Sequence, residues 1–344
     1  MRRMPRATVL AAIAGLLLTG CGGGGSDNGP SAGGGHRPID VAMTYAPKST
    51  HGVEDFEFTD LHAVVKLVGK EFTKLGSVYH EETPGLWPFG DVEWEAVTIS
   101  GGEPVHTVGL SSSFDLNRIA RKLKACRYRE RKVGGDVVYA ASQSVVLACA
   151  GDFGADVPLQ SEVGVARADH VVVLSNSSIA VESALRHEGD LHADDTLTGL
   201  LEPLADAQSV GIAPAPEYCQ TLTKLMAGRD PTPEIVALAD KEDPAGAPYD
   251  GFAIGTTVSH GKATGRIVMR YADDDAASKG VKEREQLFRS GTDFQLDGPY
   301  TDVLHLDGAK ADGRNVVFDV SPAKPGELSL YEMWLKYDFA FARC

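Results

Sequence analysis

The densest cluster of side chains able to bind a metal lies in HEGDLHADD, residues 187–195. The imidazoles of His187 and His192 lie near the carboxylate of Asp194, and such a set can coordinate a transition metal. The spacing differs from the H-E-x-x-H pattern of helical zinc sites. The segment also lies between two predicted helices, where Asp194 or Asp195 is suited to cap the second. Capping explains most of the cluster, and metal binding is the weaker interpretation.

Two other segments carry suitable residue types without the required pattern. Three consecutive aspartates at 273–275 would suit calcium, yet an EF-hand loop has alternating ligands and a central glycine. Their position before a predicted helix explains them as capping residues. Ser111, within GLSSS, lacks the final glycine of a hydrolase nucleophile turn. The sequence therefore indicates no catalytic residue and no cofactor, and it favours a non-enzymatic role.

Trp87 lies in the proline- and glycine-rich segment EETPGLWPFG. An aromatic side chain on an exposed loop is a recurring contact device, although packing against the first predicted helix is the favoured alternative. Trp94 and Trp334 lie on apolar faces of a predicted strand and a predicted helix, which indicates core positions.

The chain begins with the parts of an export signal. Arg2, Arg3 and Arg6 precede an apolar run at residues 7–18. A run of this length is too short to span a bilayer as a helix, which needs about 20 residues. We therefore interpret residues 1–20 as a signal peptide.

The residues Leu18-Thr19-Gly20-Cys21 that end this segment resemble the lipobox of bacterial lipoproteins. The resemblance implies cleavage before Cys21 and acylation of that cysteine, for example with palmitate. The protein would then be held on the extracytoplasmic face of the cell membrane. The glycine-rich start of residues 21–50 predicts a flexible tether over that range.

The composition limits the partners. Removal of the three arginines of the leader takes the formal net charge from −15 to −18. So acidic a chain repels nucleic acid and anionic lipid headgroups over the screening length, and we expect no nucleic-acid partner. A protein or a glycan of the cell envelope remains compatible with this charge.

The four cysteines after Cys21 predict disulfide bonds, because an exported chain with an even number of cysteines usually forms them. They are Cys126, Cys149, Cys219 and Cys344, and three pairings are open. The pairing Cys126–Cys149 with Cys219–Cys344 is favoured, because it closes a short loop and holds the C-terminus.

The elements that would position these residues occur in two stretches of similar order. The first has predicted strands at 92–99 and 104–110, a helix at 115–125, strands at 136–142, 144–150 and 170–176, and a helix at 177–187. The second has strands at 251–259 and 263–272, a helix at 274–290, strands at 301–306 and 314–321, and a helix at 327–337. We interpret both as β-β-α-β-β-α, with one strand candidate more in the first stretch than this order contains.

This order predicts an α+β protein with mainly antiparallel sheets and helices packed on one face. A first module would occupy residues 51–240, with an N-terminal helix near 59–76, and a second module residues 241–344. The architecture resembles that of exported lipoproteins of actinobacterial type, a resemblance that implies no particular activity.

The leading functional hypothesis is a membrane-anchored binding or envelope-scaffold protein. The alternatives are a cell-envelope hydrolase whose site is not visible as a linear motif, and a solute-binding receptor. A receptor of the usual kind has two lobes with parallel sheets, which the predicted hairpins disfavour.

Overall fold

The fold is described from a computed structural model. It covers residues 37–47, 52–68, 86–146, 149, 160–214, 219, 246–259, 262–293, 298–324, 330, 333–334 and 339–344. The predicted signal peptide, Cys21 and the glycine run lie outside the described residues.

A twelve-stranded sheet forms the centre of the described chain. Its strands are β1 (Asp55–Thr59), β2 (Val92–Ser100), β3 (Glu103–Leu110), β4 (Arg129–Val133), β5 (Asp136–Ala140), β6 (Glu162–Ala166), β7 (Val171–Ser175), β8 (Ser209–Ala213), β9 (Gly251–Ser259), β10 (Lys262–Arg270), β13 (Leu304–Asp312) and β14 (Asn315–Pro322). A separate pair consists of β11 (Thr292–Asp293) and β12 (Gly298–Pro299).

The order across the sheet is β13-β14-β10-β9-β8-β1-β2-β3-β7-β6-β5-β4. Every neighbouring pair is antiparallel. The fold is therefore mixed α+β with one large antiparallel sheet.

The helices are α1 (Pro38–Thr44), α2 (Leu61–Val68), α3 (Asn117–Ala125), α4 (Ser178–Leu185), α5 (Asp195–Leu201) and α6 (Asp274–Ser290). Among the described residues, no helix is both long and apolar enough to cross a bilayer.

Helices cover both faces of the sheet, so the expectation of helices on one face is wrong. In β7, Val171 and Val173 join the apolar cluster that contains residues of α1, α4 and α5. The alternate residues Val172 and Leu174 join the cluster that contains residues of α3. We call the side of the sheet that carries Val171 and Val173 the first face, and the side that carries Val172 and Leu174 the second face. Helix α6 packs on the second face, in a separate apolar cluster. A strand apolar at every position must be covered on both sides.

Two other expectations need correction. The range 21–50 predicted as a tether ends in folded chain, because Pro38–Thr44 is helix α1 with Ile39, Ala42 and Met43 buried. The segment predicted as a strand at 144–150 is helical at its described residues 143–146 and 149. The first predicted module also contains two strands that the sequence did not predict, β4 and β6. A short apolar run does not by itself distinguish a strand from a buried helix.

The structure contains the favoured disulfide pairing. Cys126 and Cys149 are bonded with their Cα atoms 5.9 Å apart, and Cys219 and Cys344 with theirs 4.7 Å apart. The first bond lies in the apolar cluster under α3, and the second attaches the C-terminal residue.

Arg284 of α6 is fully buried and binds the same C-terminal segment. Its guanidinium donates to the carbonyls of Phe341 at 3.0 Å and Ala247 at 2.5 Å, and to that of Arg343. Its Nε donates to the Tyr271 hydroxyl at 3.0 Å. A buried charge is tolerated only when its donors are satisfied, and here backbone carbonyls supply much of the satisfaction.

We expect Arg284→Met to lower the free energy of unfolding by about 3 kcal/mol, because each buried carbonyl left without a donor costs ~1–3 kcal/mol. Urea denaturation with the disulfides intact measures this loss. The matched control is Arg289→Met on the same helix, which removes an exposed ion pair with Glu285 and should cost below ~0.5 kcal/mol. Equal, small losses for both variants would contradict this role of Arg284.

Candidate functional site

A cavity of about 530 Å³ lies between α1, α5, the last residue of β10 and the 3₁₀ turn Leu191–Ala193. Its charged and titratable lining consists of Arg37, Asp40, His192, Asp195, Glu202 and Arg270. This volume lies within the range of about 300–1,000 Å³ usual for small-molecule sites.

Helix α1 forms one wall of the cavity and begins at a proline, which is favoured at the first helical position. Arg37 precedes it and donates from Nη2 to Asp40 Oδ1 at 2.8 Å. Although burial works in the opposite direction, the Arg37 side chain holds the pKa of Asp40 below its ordinary value. The two charges on this wall therefore satisfy each other.

The segment proposed as a weak metal site forms a turn and a helix cap. Asp194 Oδ1 accepts from the amides of Thr196 and Leu197 at 2.9 and 3.0 Å and caps α5. His192 Nδ1 lies 2.5 Å from Asp190 Oδ1.

His187 contacts the end of α1 rather than His192 or Asp194. Its Nδ1 lies 3.1 Å from the Thr44 carbonyl oxygen, and its ring packs edge-on against Tyr45. His187, His192 and Asp194 thus have separate partners. In the part of the chain that the structure describes, no group of three or more His, Cys, Asp or Glu side chains could hold a metal ion.

Arg270, which sequence reasoning missed, lines the cavity. Its Nη1 donates to Asn315 Oδ1 at 3.4 Å, and it makes no ion pair with the described residues. Its Nε is buried and has no hydrogen-bond acceptor among them. A half-buried guanidinium in this state costs stability, and a buried donor without an acceptor is uncommon in folded proteins.

The packing of α5 against β10 creates the space for this guanidinium. A Cβ on Gly199 would lie 2.1 Å from Nη1 of Arg270. The Gly199 carbonyl accepts from Asn315 Nδ2 at 2.9 Å, which orients the amide that contacts Arg270. No sequence motif marks Arg270, because its surroundings come from residues distant in the chain.

The charges that remain in the cavity are of both signs. Arg37 pairs with Asp40, whereas the side chains of Asp195 and Glu202 are exposed at the rim. The cavity therefore offers a cation that needs an acceptor, together with carboxylates that can accept hydrogen bonds.

The other residues singled out from the sequence lie outside the cavity. Ser111 Oγ is 2.9 Å from Ser113 Oγ, and Asp273 caps α6 through the Ala276 amide at 2.8 Å. Trp87 is 3% exposed within the cluster under α3, so it is not a contact residue on an exposed loop. Trp94 and Trp334 are buried, as predicted.

A second polar group lies at the centre of the sheet, on the second face. Glu95 of β2 pairs with Thr59 of β1, so Glu57 is its diagonal neighbour on the same face. Glu57 Oε1 accepts from Trp334 Nε1 at 2.9 Å. Burial raises the pKa of Glu95 to about 8, and the Glu57 charge adds to the rise. Glu95 is therefore mostly protonated at neutral pH.

His106 of β3 lies on the same face, opposite Val97. Burial lowers its pKa to about 4, so the imidazole is neutral at neutral pH. The centre of the second face thus carries less charge than its residue types suggest.

Comparisons with known proteins do not place the chain in a family. No family model matches it, and no curated protein matches it. Crystal form I of TP0453 is similar at 9% identity and a TM-score of 0.42, covering 88% of this chain and 98% of that chain. Crystal form III is similar at 10% identity and a TM-score of 0.42, covering 87% and 99%. At these values the similarity supports no functional inference.

We expect Glu95→Gln to stabilise the protein at pH 8.5 and to have little effect near pH 4.5. The pKa of folded Glu95, about 8, exceeds its ordinary value of 4.5. The stability linked to the protonated carboxyl is therefore complete below pH 4.5 and is lost as the pH rises through 8. The gain should be on the order of 5 kcal/mol, since the pKa rises from 4.5 to about 8 and one pKa unit corresponds to about 1.4 kcal/mol.

Thermal unfolding of the wild type and of Glu95→Gln between pH 4.5 and pH 8.5 measures the difference in stability between them. Glu103→Gln, which removes an exposed carboxylate from β3, is the control and should change stability little. A difference in stability between Glu95→Gln and the wild type that is the same at pH 4.5 and at pH 8.5 would contradict the raised pKa of Glu95.

Proposed function

We propose that this protein is a lipid-anchored, extracytoplasmic binding protein without catalytic activity, and that its cavity binds a small zwitterionic solute. The observation that carries the ligand assignment is the half-buried Arg270, which lines the cavity and makes no ion pair with the described residues. The membrane attachment rests on the lipobox residues.

The ligand class follows from what the lining lacks. An anionic group, a carboxylate or a phosphate, would accept from the Arg270 guanidinium in a charge-assisted hydrogen bond. The rim carboxylates of Asp195 and Glu202 would accept from an ammonium group or from hydroxyls. A solute that carries both kinds of group satisfies the site, whereas a purely anionic solute would meet repulsion from the rim.

The anchor assignment rests on residues 16–21, an apolar end followed by small residues and Cys21. Stable attachment takes more than one acyl chain, and lipoprotein processing would supply these on Cys21. The fifteen residues between Cys21 and Arg37 would span about 20 Å root-mean-square as a flexible chain. The folded body, with its cavity, would then remain near the membrane surface.

We also infer that the body consists of two related modules, within 51–240 and 241–344. The pairing orders β2-β3-β7-β6 and β9-β10-β14-β13 support this, since each starts with one hairpin and adds a second by antiparallel pairing. A helix, α3 or α6, follows the first hairpin in each. The first half has the additional hairpin β4-β5.

We expect Cys21→Ala to release the protein from the membrane or to leave it as an uncleaved precursor, because no thiol remains for acylation. Fractionation of cells and the mass of the protein in each fraction measure this. Cys219→Ala, which removes a disulfide cysteine and leaves the lipobox unchanged, is the control. A Cys21→Ala protein that stays in the membrane at mature size would contradict the anchor.

We expect Arg270→Met to abolish ligand binding without lowering stability, because it removes a guanidinium whose Nε lacks an acceptor. The matched control is Arg266→Met on the same strand. Arg266 pairs with Asp206 at 2.6 Å and Asp319 at 3.0 Å, so its loss should lower stability and leave binding intact.

The measurement is the shift in melting temperature caused by glutamate, succinate and putrescine, which are zwitterionic, anionic and cationic probes. A bound ligand stabilises the folded state, by about 2.7 kcal/mol at 100 times its Kd. Glutamate should stabilise wild type and Arg266→Met and leave Arg270→Met unchanged. Probes that shift none of the three proteins, or shift all three equally, would count against the site.

A further inference from the structure

The chain contains a strongly basic segment although its net charge is negative. Eight of the fifteen residues 118–132 are Lys or Arg and one, Glu130, is acidic, although the whole chain has a formal net charge of −15. We define the basic edge as Arg118, Arg121, Lys122, Lys124, Arg127, Arg129 and Lys132. Arg131 is left out because it pairs with Glu162 and Glu182.

The fold brings this segment to one end of the sheet. Helix α3 buries Ile119 and Leu123 in the core, which turns its remaining side chains outward. Among the residues that the structure describes, strand β4 is the last strand of the sheet and pairs only with β5. The side chains of Arg121 and Lys124 are 68% and 57% exposed. By its pairing register Lys132 lies on the second face, as α3 does, and Arg129 lies on the first face, so the cations of α3 and β4 surround the same edge of the sheet.

Local carboxylates neutralise only part of this surface. Arg121 pairs with Asp115 at 3.0 Å, and Lys124 pairs with Glu130 at 2.6 Å. The cations that make no ion pair with the described residues are Arg118, Arg127, Arg129 and Lys132. Exposed ion pairs stabilise a protein little in any case.

The cations are also close enough to repel one another. Burial, with the neighbouring Arg118 guanidinium, holds the pKa of Lys122 below its ordinary value. Repulsion of this kind is relieved when an anionic surface approaches.

Protection of an edge strand explains only part of the pattern. Charged side chains on an edge strand prevent it from pairing with another chain, which would explain Arg129 and Lys132. The same reasoning does not apply to α3, because a helix has no unpaired ladder of backbone groups along its side.

We propose that the basic edge docks on anionic lipid headgroups of the membrane that carries the protein. The proposal rests on the proposed anchoring at Cys21. A tether of about 20 Å keeps the body near the surface, where clustered Lys and Arg are attracted to anionic lipids within a Debye length of about 8–10 Å. The rest of the acidic body is repelled, so docking would also fix the orientation of the protein.

Chemical labelling of lysines on the full-length, membrane-extracted wild-type protein tests this docking. The protein is reconstituted on vesicles of phosphatidylcholine alone, or of phosphatidylcholine with phosphatidylglycerol. We expect labelling of Lys124 and Lys132 to slow at least about threefold on the anionic vesicles and to recover at high salt, because the attraction is screened. Lys310, on β13 at the opposite edge of the sheet, is the internal control and should not change.

A matched pair of triple variants isolates the surface. Arg118→Gln, Arg127→Gln and Arg129→Gln together keep the reporter lysines and should abolish the slowing. Lys262→Gln, Lys279→Gln and Lys282→Gln together remove the same charge from exposed positions of β10 and α6 and should leave the slowing intact.

Equal labelling on both kinds of vesicle, or slowing that survives the arginine variant, would overturn the proposal. Slowing caused by soluble dextran sulfate but not by vesicles would also overturn it and assign the surface to a polyanion. Sedimentation with neutral vesicles tests the anchor separately, so the two proposals fail by different observations.

Discussion

Strand β1 is the constraint on which the rest of the structure depends. Its five residues, Asp55–Thr59, pair with β2 on one side and with β8 on the other. Strands β9, β10, β13 and β14 of the second half join the sheet through β8. Because an unpaired strand edge exposes backbone donors and acceptors, this one strand lets two groups of hairpins share one sheet. Its Phe56 and Phe58 are buried on the first face, and Glu57 contacts Trp334 on the other.

Coverage of both faces determines where a small ligand can be bound. The sheet itself is enclosed by α1, α4 and α5 on the first face and by α3 and α6 on the second. The cavity lies where the short helices α1 and α5 meet Arg270, the last residue of β10. The cavity is thus a consequence of how helices from the first half of the chain pack against β10, a strand of the second half, on one continuous sheet. Arg37 and Arg270 line it together although they are far apart in sequence.

The distribution of charge over the surface determines which face of the protein can contact anionic lipids, more than the net charge does. The net charge of −15 predicts repulsion from anionic lipids, yet residues 118–132 form a surface of the opposite sign. At distances beyond a Debye length the whole charge acts, whereas at contact only the nearest face acts. Local surroundings also decide the charge in the cavity, where Arg270 makes no ion pair with the described residues, and at the centre of the sheet, where burial keeps Glu95 mostly protonated at neutral pH.

The sequence by itself determined the local elements with strong patterns. The hairpin β9-β10 and helix α6 with its Asp273 cap were predictable, because alternation and capping are recorded in neighbouring residues. For the cysteines, the sequence favoured the observed pairing but left three pairings open. Strand β1 and helix α1 were missed, since each is short and depends on contacts with distant segments. Only the tertiary structure decided that helices cover both faces and that Arg270 lines a cavity. These outcomes depend on pairing and burial between residues far apart in the chain, for which local propensity carries no signal.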